Sequence, residues 1–539
     1  MTPPARGRWT GLVGLGLRAA LSRRIALLSD RAYWATNSGR LQARQLQRLI
    51  ALSKHTSFGR EHGFHRLAHL RGDDLLRAYR AQTPIREYLR YAPYITRMRD
   101  HAEPDVCWPG VVLDWAQTSG TTAGDKFMPV SRDLLRHNFR ASMDIFAHAH
   151  RMGVDLRRLF AGRILFLGGS TDLAVNRHGL RTGDLSGLVT PMIKWPLSEV
   201  YLPGKRIALM SDWKQKIDAM AAACLDQDVR AVSGMASWGL VLFTRALEMA
   251  RERGRDVRTL RELWPNMDLF IHGGVNYTPF RPRVQEVWSG GADDVPHRLE
   301  VYPASEAFVA MQDEPGDAGL RLCADHGVFF EFVPVEEIHR PDPVALTCDR
   351  VEPGVRYVVV LSTPGGLFRY ILGDVVEFDT IPPAGPARLR IVGRHKHFIN
   401  AFGENLIVEH IEKAVARAAD QAALTVGEFT AAPVYPDPVR GVRAGLELAV
   451  EIASGAPSDA LRRFRDAFDG ALKDQNVDYT TKRRDDLGMA PPTVTPIPPG
   501  AFHAWMESRG KLGGQHKCPR CANHRDIIDA VLQTASART

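Results

Sequence analysis

Through the first hundred residues apolar positions recur at helical intervals. In GLRAALSRRIALLSDRAYWATNSGRLQARQLQRLI arginines fill the gaps between them, and LQARQLQRLIALSKHTSFG predicts a helix that ends by Gly59. Short apolar runs follow. RILFLGG, MDLFIHGGVNY and HRLEVYPASEAF each read as a strand running into glycines or a polar loop, with SRDLLRHNFRASMDIFAHAHRM, KQKIDAMAAACL and VLFTRALEMARERG as helices among them. Strands alternating with helices predict an α/β domain whose ligand sits at the strand ends. From 328 to about 400 the runs GVFFEFVPV, VRYVVVLST, GLFRYILGDVVEFD and ARLRIVG predict a β-rich region with antiparallel pairing. Beyond it, helical HIEKAVARAAD and DALRRFRDAFDGALK alternate with strand-like TAAPVYP and GLELAVEIA, and VTPIPPGAF reads as a proline-rich loop. The expected organisation is a large N-terminal domain over 1–394, with α/β and β-rich subdomains and a basic helical arm at 1–50. A smaller α+β C-terminal domain covers 395–539.

Composition narrows the class. The chain has 539 residues, 45% hydrophobic and 24% charged, which suits a multi-domain globular protein. No run of eighteen apolar residues occurs, so no transmembrane helix is expected. WTGLVGLGL lacks a small-residue cleavage site and is read as mature protein. Six cysteines in so long a chain make no disulfide framework, and the expected location is the cytoplasm. Cys518 and Cys521 have C-x-x-C spacing, but no second Cys/His pair completes a zinc site.

The formal charge of +9 belongs to the arm, since residues 1–50 hold nine arginines and one acid, Asp30. Such an arm suits weak contact with an anionic membrane surface or, as the preferred reading, a helix packed on its own domain. No basic stripe interleaved with aromatics points to nucleic acid.

The densest chemistry lies in QTSGTTAGDKFMPVS, where Thr118, Ser119, Thr121 and Thr122 supply hydroxyls, Gly120 and Gly124 free the backbone N–H groups, and Lys126 adds a charge. That combination suits phosphate, although the spacing breaks the G-x-x-x-x-G-K-[ST] pattern and Ser/Thr/Gly clusters also serve as plain turns. In YPASE, Tyr302 offers a ring for a base and Glu306 a carboxylate for Mg²⁺, with Ser305 between them. In YILGDVVEF, Asp374 stands after Gly373 at a strand end, where a carboxylate accepts ribose hydroxyls. GRHKHFINAFGENLI, containing Arg394, lies at the domain junction, and GGQHKCPR carries Lys517.

In this order and spacing the motifs resemble the auxin-responsive Gretchen Hagen family of acyl acid amido synthetases, a branch of the acyl-adenylate-forming superfamily, in a bacterial-type form. The resemblance runs through TSFGREHGF, TSGTTAGDK, TGDLSGL, LWPNMDLFIHGG, YPASE, GVFFEFVP, YILGDVVEF, GRHKHFINAFGEN and GGQHKCPR, nearly the whole chain. It implies a monomeric ligase that uses ATP and Mg²⁺ to adenylate a carboxylic acid and then passes the acyl group to an amino acid. By it, Thr118 to Thr122 and Lys126 hold phosphates, Tyr302 lies near adenine, Glu306 near magnesium and Asp374 on the ribose. Arg394 marks the hinge of a mobile C-terminal domain that brings Lys517 to the active site, and CPRC is structural. Lys126 and Lys517 are the catalytic candidates, with Lys396 a further one; His272, His395, His397 and His516 are candidates for a base. Ala307 departs from the glycine usual after the motif glutamate, which would narrow the nucleotide pocket. Transfer to a thiol such as coenzyme A, and a non-catalytic ATP-binding or membrane-surface module, stand as alternatives.

Overall fold

The computed structural model describes residues 7–118, 126–168, 173–190, 193–210, 213–274, 277, 280–316, 319–338, 340–394, 398–399, 402, 404, 406–437, 442–452, 456–484, 488–508 and 518–537. Its centre is a mixed sheet of eleven strands. In spatial order these are Phe329–Pro334, Arg356–Ser362, Tyr370–Thr380, Arg388–Arg394, Leu320–Leu322, Phe308–Gln312, His297–Pro303, Leu269–Gly273, Val229–Gly234, Arg163–Leu167 and Tyr201–Leu202. From His297–Pro303 onward the pairs are parallel. In the other direction every pair is antiparallel. The predicted α/β and β-rich regions are thus two halves of one continuous sheet.

The parallel half is buried against helices such as Trp213–Cys224 and Ala236–Glu252, with Met220, Leu242, Phe243, Trp264 and Phe270 in the shared core. The β-rich half packs Phe330, Phe332, Tyr357 and Val359 with Phe58, Phe64 and Tyr79 from the N-terminal helices.

The basic arm is docked rather than free. Helices Gly7–Ser29 and Arg31–Ser53 bury Leu28, Trp34, Leu41, Leu46, Leu49 and Ile50. Arg24 donates to Asp144 at 2.5 Å and to Asp325 at 2.6 Å, so one of the arm's charges is matched by the domain itself. Among the described residues no helix is long and apolar enough to cross a membrane.

The C-terminal region has the sheet Val426–Val434, Gly445–Ile452 and Thr493–Ile497, flanked by helices Val408–Ala422 and Ser458–Gln475. Its third strand corrects the proline-rich loop expected at VTPIPPGAF. Thr493–Ile497 pairs in parallel with Gly445–Ile452 and lies at the sheet edge, where the missing N–H of Pro496 breaks no inner ladder. The C-terminal region meets the parallel half through Phe280, whose ring lies edge-on to Phe402 at 5.6 Å.

Candidate active site

The sheet changes from parallel to antiparallel at His297–Pro303, and Tyr302 stands near the end of that strand. Asp374 lies on Tyr370–Thr380, four strands away in sheet order. Neighbouring strands are about 4.8 Å apart, so a flat sheet would separate the two by roughly 19 Å. The Tyr302 hydroxyl nevertheless donates to Asp374 Oδ2 at 2.5 Å. The antiparallel half must therefore curl back over the strand ends. Register shifts at Phe308/Ala310, Val375/Val376 and Phe378/Thr380 supply the local bending. Gly373, at φ 97°, adopts a backbone that side-chain-bearing residues avoid and delivers Asp374 to this point. Asp374 is 8% exposed and lies opposite Arg394 in the strand ladder.

After Tyr302 the chain turns sharply, with the Ala304 N–H donating to the Ala307 carbonyl at 2.9 Å, and this turn carries Ser305 and Glu306. Glu306 is buried at 8% exposure. The methyl of Ala307 is fully buried among Tyr302, Val309 and their core neighbours, so its place is in the packing beneath the turn. His137, from the helix Arg132–Arg151, holds the far side of the turn: its Nε2 accepts from the Phe308 N–H at 2.8 Å and its Nδ1 donates to the His326 carbonyl at 3.2 Å. Burial brings His137 down to about 3, so it bridges as a neutral ring. No local signal in the sequence marks His137, because its partners lie more than a hundred residues away.

The strands Asp114–Thr118 and Lys126–Val130 form an antiparallel hairpin in which Thr118 faces Lys126. Ser119, Gly120, Thr121 and Thr122 fall in the connection between them, outside the described residues. The strand Lys126–Val130 is anchored at both ends. The Phe127 N–H donates to the Tyr88 hydroxyl at 2.9 Å, and Lys126 Nζ lies 5.6 Å from the centre of the Tyr88 ring. The Ser131 hydroxyl donates to the Pro364 carbonyl, and at Gly365 a Cβ would come within 2.5 Å of the Pro129 carbonyl oxygen. Glycine at that point lets the hairpin press against the segment that leads into the Asp374 strand.

Of the remaining candidates, Arg394 ends the strand Arg388–Arg394, while His395, Lys396, His397, His516 and Lys517 lie outside the described residues. His272 is 1% exposed, and burial with the Arg298 charge beside it holds its pKa well below the usual imidazole range. Its ring stacks on Tyr277 at 4.3 Å. Cys518 and Cys521 are buried free thiols, both pushed up to about 12 by burial. Among the described residues no group of three or more His, Cys, Asp or Glu is arranged to hold a metal ion.

Sequence reasoning also missed Lys482, on the helix Val477–Arg483. It is 3% exposed, and its ammonium lies 3.9 Å from the centre of the Trp238 ring, where the C-terminal region meets the parallel half. Burial lowers its pKa from 10.5 to about 8, against the opposing pull of Asp478, Glu404 and Asp184. The unfolded chain therefore binds this proton more tightly than the folded one. The stability it contributes is present above pH 10.5 and is lost as pH falls through about 8. Lys482→Met should remove this dependence and, at pH 7, stabilise the fold by up to about 3 kcal/mol. Urea titrations of both proteins between pH 7 and 10.5 read the effect; parallel stability profiles would refute it.

The chain matches known proteins along most of its length. The model of the GH3 family N-terminal domain matches residues 33–202 and 175–292, that of the GH3 family central domain 321–394, and that of the GH3 family C-terminal domain 409–526. The chain is 24% identical over 521 residues to the indole-3-acetic acid-amido synthetase GH3.8 of Oryza sativa subsp. indica, covering 84% of each chain. In fold it is similar to AtGH3.15 acyl acid amido synthetase in complex with 2,4-DB, with a TM-score of 0.59 and 19% identity over 99% of this chain and 98% of that one. It is also similar to a 2-hydroxyisobutyryl-CoA ligase in its thioesterification state, with a TM-score of 0.51 and 16% identity over 92% of each chain.

Proposed function

Since this chain belongs to the GH3 family, we propose that it is an ATP-dependent acyl acid amido synthetase, a ligase that joins a carboxylic acid to an amino acid through an acyl-adenylate. The observation that carries the reading is the hydrogen bond from Tyr302 to Asp374, which ties YPASE and YILGDVVEF into one site at the strand ends. In the first step a carboxylate oxygen attacks the α-phosphorus of ATP; the new P–O bond forms as the bond to the bridging oxygen breaks, and pyrophosphate leaves. In the second the amine nitrogen attacks the acyl carbon, the bond to AMP breaks, and the nitrogen gives up a proton.

The residues divide this work. Thr118 to Thr122 and Lys126 take the phosphates at the hairpin tip, where N–H and hydroxyl donors meet charge as it develops. Tyr302 lies against adenine, Asp374 takes the ribose hydroxyls, and Ser305 and Glu306 complete the turn. Mg²⁺ needs only one or two carboxylates besides phosphate and water, and the strand-end carboxylate of Glu306 suits it. When bound, that ion neutralises phosphate charge. Arg394 is the hinge between domains 1–394 and 395–539, and Lys517 acts from the second of them. The enzyme is read as a cytoplasmic monomer, with the basic N-terminal arm as the surface for weak membrane contact.

ATP–pyrophosphate exchange across a panel of aryl, indolyl and fatty acids, followed by AMP release with amino acids against coenzyme A, tests the proposal. Amine-dependent turnover supports it, whereas thiol-dependent turnover overturns the acceptor. Tyr302→Phe deletes the hydroxyl that steadies Asp374. Hydrogen bonds to charged groups are worth about 1.5–3 kcal/mol, so the KM for ATP should rise roughly ten- to a hundredfold. An unchanged KM would show that Asp374 needs no such support.

A further inference from the structure

Three polar side chains share one face of the sheet just below Tyr302, and none of them has a role in nucleotide binding. Along His297–Pro303, Arg298 and Glu300 alternate onto the same face as Tyr302, and the parallel register puts His272 directly beside Glu300. Two residues of strand correspond to about 6–7 Å, so Glu300 lies roughly the length of a small acid below the nucleotide end of the site. His272 is the penultimate residue of the parallel strand Leu269–Gly273 and Glu300 is its partner in register, so the pair stands level with the carboxyl end of that strand, where open α/β sheets form their ligand crevice.

The hydrogen bonding here is incomplete in a specific way. Arg298 Nη1 approaches His272 Nε2 at 3.4 Å; arginine only donates, so Nε2 is the acceptor and the ring proton sits on Nδ1. His272 Nδ1 is buried without a partner among the described residues. Such an orphaned donor is unfavourable unless a ligand supplies its acceptor. Next to it, the Glu300 backbone N–H donates to Gln312 Oε1 at 2.9 Å, but its carboxylate has no hydrogen-bond partner among the described residues. Burial pushes the Glu300 carboxyl up to about 7, with only Arg298 opposing. Glu300 nonetheless keeps partial exposure in a strand paired on both sides, whereas His272 beside it is buried. Tyr277 fixes the imidazole from above, with the Arg298 guanidinium 4.2 Å from the centre of its ring.

A fixed N–H donor beside a carboxylate acceptor is satisfied by a single group that both accepts and donates. A hydroxyl does both. An ammonium would leave Nδ1–H without an acceptor, and a halide, ether or carbonyl would leave the Glu300 carboxylate, ionised above about pH 7, without a donor. We propose that Glu300 and His272 form a receptor for a hydroxyl group on the acyl acid, so that this protein selects hydroxylated acids over their deoxy counterparts. The proposal rests on the amido-synthetase reading for the identity of the ligand as the acyl substrate.

Sites built to hydrogen-bond a substrate hydroxyl reject the analogue that lacks it by orders of magnitude, whereas apolar pockets discriminate weakly. The test uses the purified full chain with matched pairs, 4-hydroxyphenylacetate against phenylacetate and 4-hydroxybenzoate against benzoate, in wild type, Glu300→Gln and Glu300→Leu. Pyrophosphate exchange gives kcat/KM, and calorimetric titration of the same acids gives binding without catalysis. The expected result is a preference of at least about a hundredfold for one hydroxylated member in wild type, collapsing below about fivefold in Glu300→Leu and lying between in Glu300→Gln. Equal kcat/KM within both pairs, as expected if a bound water fills the place, would overturn the proposal, and so would a preference that survives Glu300→Leu. Hydroxyl-dependent binding lost in Glu300→Leu, with no exchange from any acid, would support the receptor and overturn the ligase reading.

Discussion

Asp374→Ala should reduce ATP–pyrophosphate exchange at least a hundredfold while leaving the protein folded. Asp374 ends a chain of constraints: Gly373 sets its backbone, the strand Tyr370–Thr380 carries it, and Tyr302 holds one carboxylate oxygen. On the proposed reading the carboxylate accepts two ribose hydroxyls. Two charge-assisted bonds at about 1.5–3 kcal/mol each exceed the roughly 2.7 kcal/mol that a hundredfold loss requires. The substitution also removes the buried hydrogen bond from the Tyr302 hydroxyl, which lowers stability modestly. Exchange kinetics over a range of ATP concentrations, with a circular dichroism melt as the fold control, decide the matter. Activity within threefold of wild type in a folded variant would remove Asp374 from the site.

The largest effect on stability is expected at Glu331, which is 1% exposed on the strand Phe329–Pro334. Its two carboxylate oxygens accept from Arg80 Nε at 2.8 Å and Arg369 Nε at 2.9 Å. Arg369 is itself 2% exposed, at φ 52°, immediately before the strand that bears Asp374, and its Nη1 also donates to the Thr83 carbonyl. Removing one member of a buried pair leaves the other charge without compensation, at a cost of about 3–5 kcal/mol. Against a typical total of about 5–15 kcal/mol, Glu331→Leu should therefore shift the denaturation midpoint sharply. The double variant Glu331→Leu/Arg369→Leu should recover part of the loss, because the more deeply buried of the two arginines then goes with its partner and only the half-buried Arg80 is left without one. A double variant no more stable than the single one would assign the effect to packing.

The motifs of the candidate site were legible in short stretches of sequence, and the structure brings two of them, YPASE and YILGDVVEF, together. The strand before YPASE, the glycine before Asp374, and the hydroxyl-rich span after Thr118 all carry their signal within a few residues, since side-chain period and turn chemistry are local properties. The same locality misled at Thr493–Ile497, where a proline that breaks an inner strand sits harmlessly on an edge. His137 and Lys482 gave no sign, because each acquires its role from partners distant in the chain. A histidine in an amphipathic helix and a lysine in YTTKRR look like ordinary surface residues until burial is known.

By itself, then, the sequence determined most of the segments that are strands and helices, where the polar turns fall, and which residue types stand at the strand ends. Only the tertiary structure decided which of those ends meet. Tyr302 and Asp374 are 72 residues apart and four strands apart, and their hydrogen bond exists because the antiparallel half of the sheet curls. Curl, burial and the resulting pKa shifts are sums over contacts from the whole chain, and no local pattern contains them.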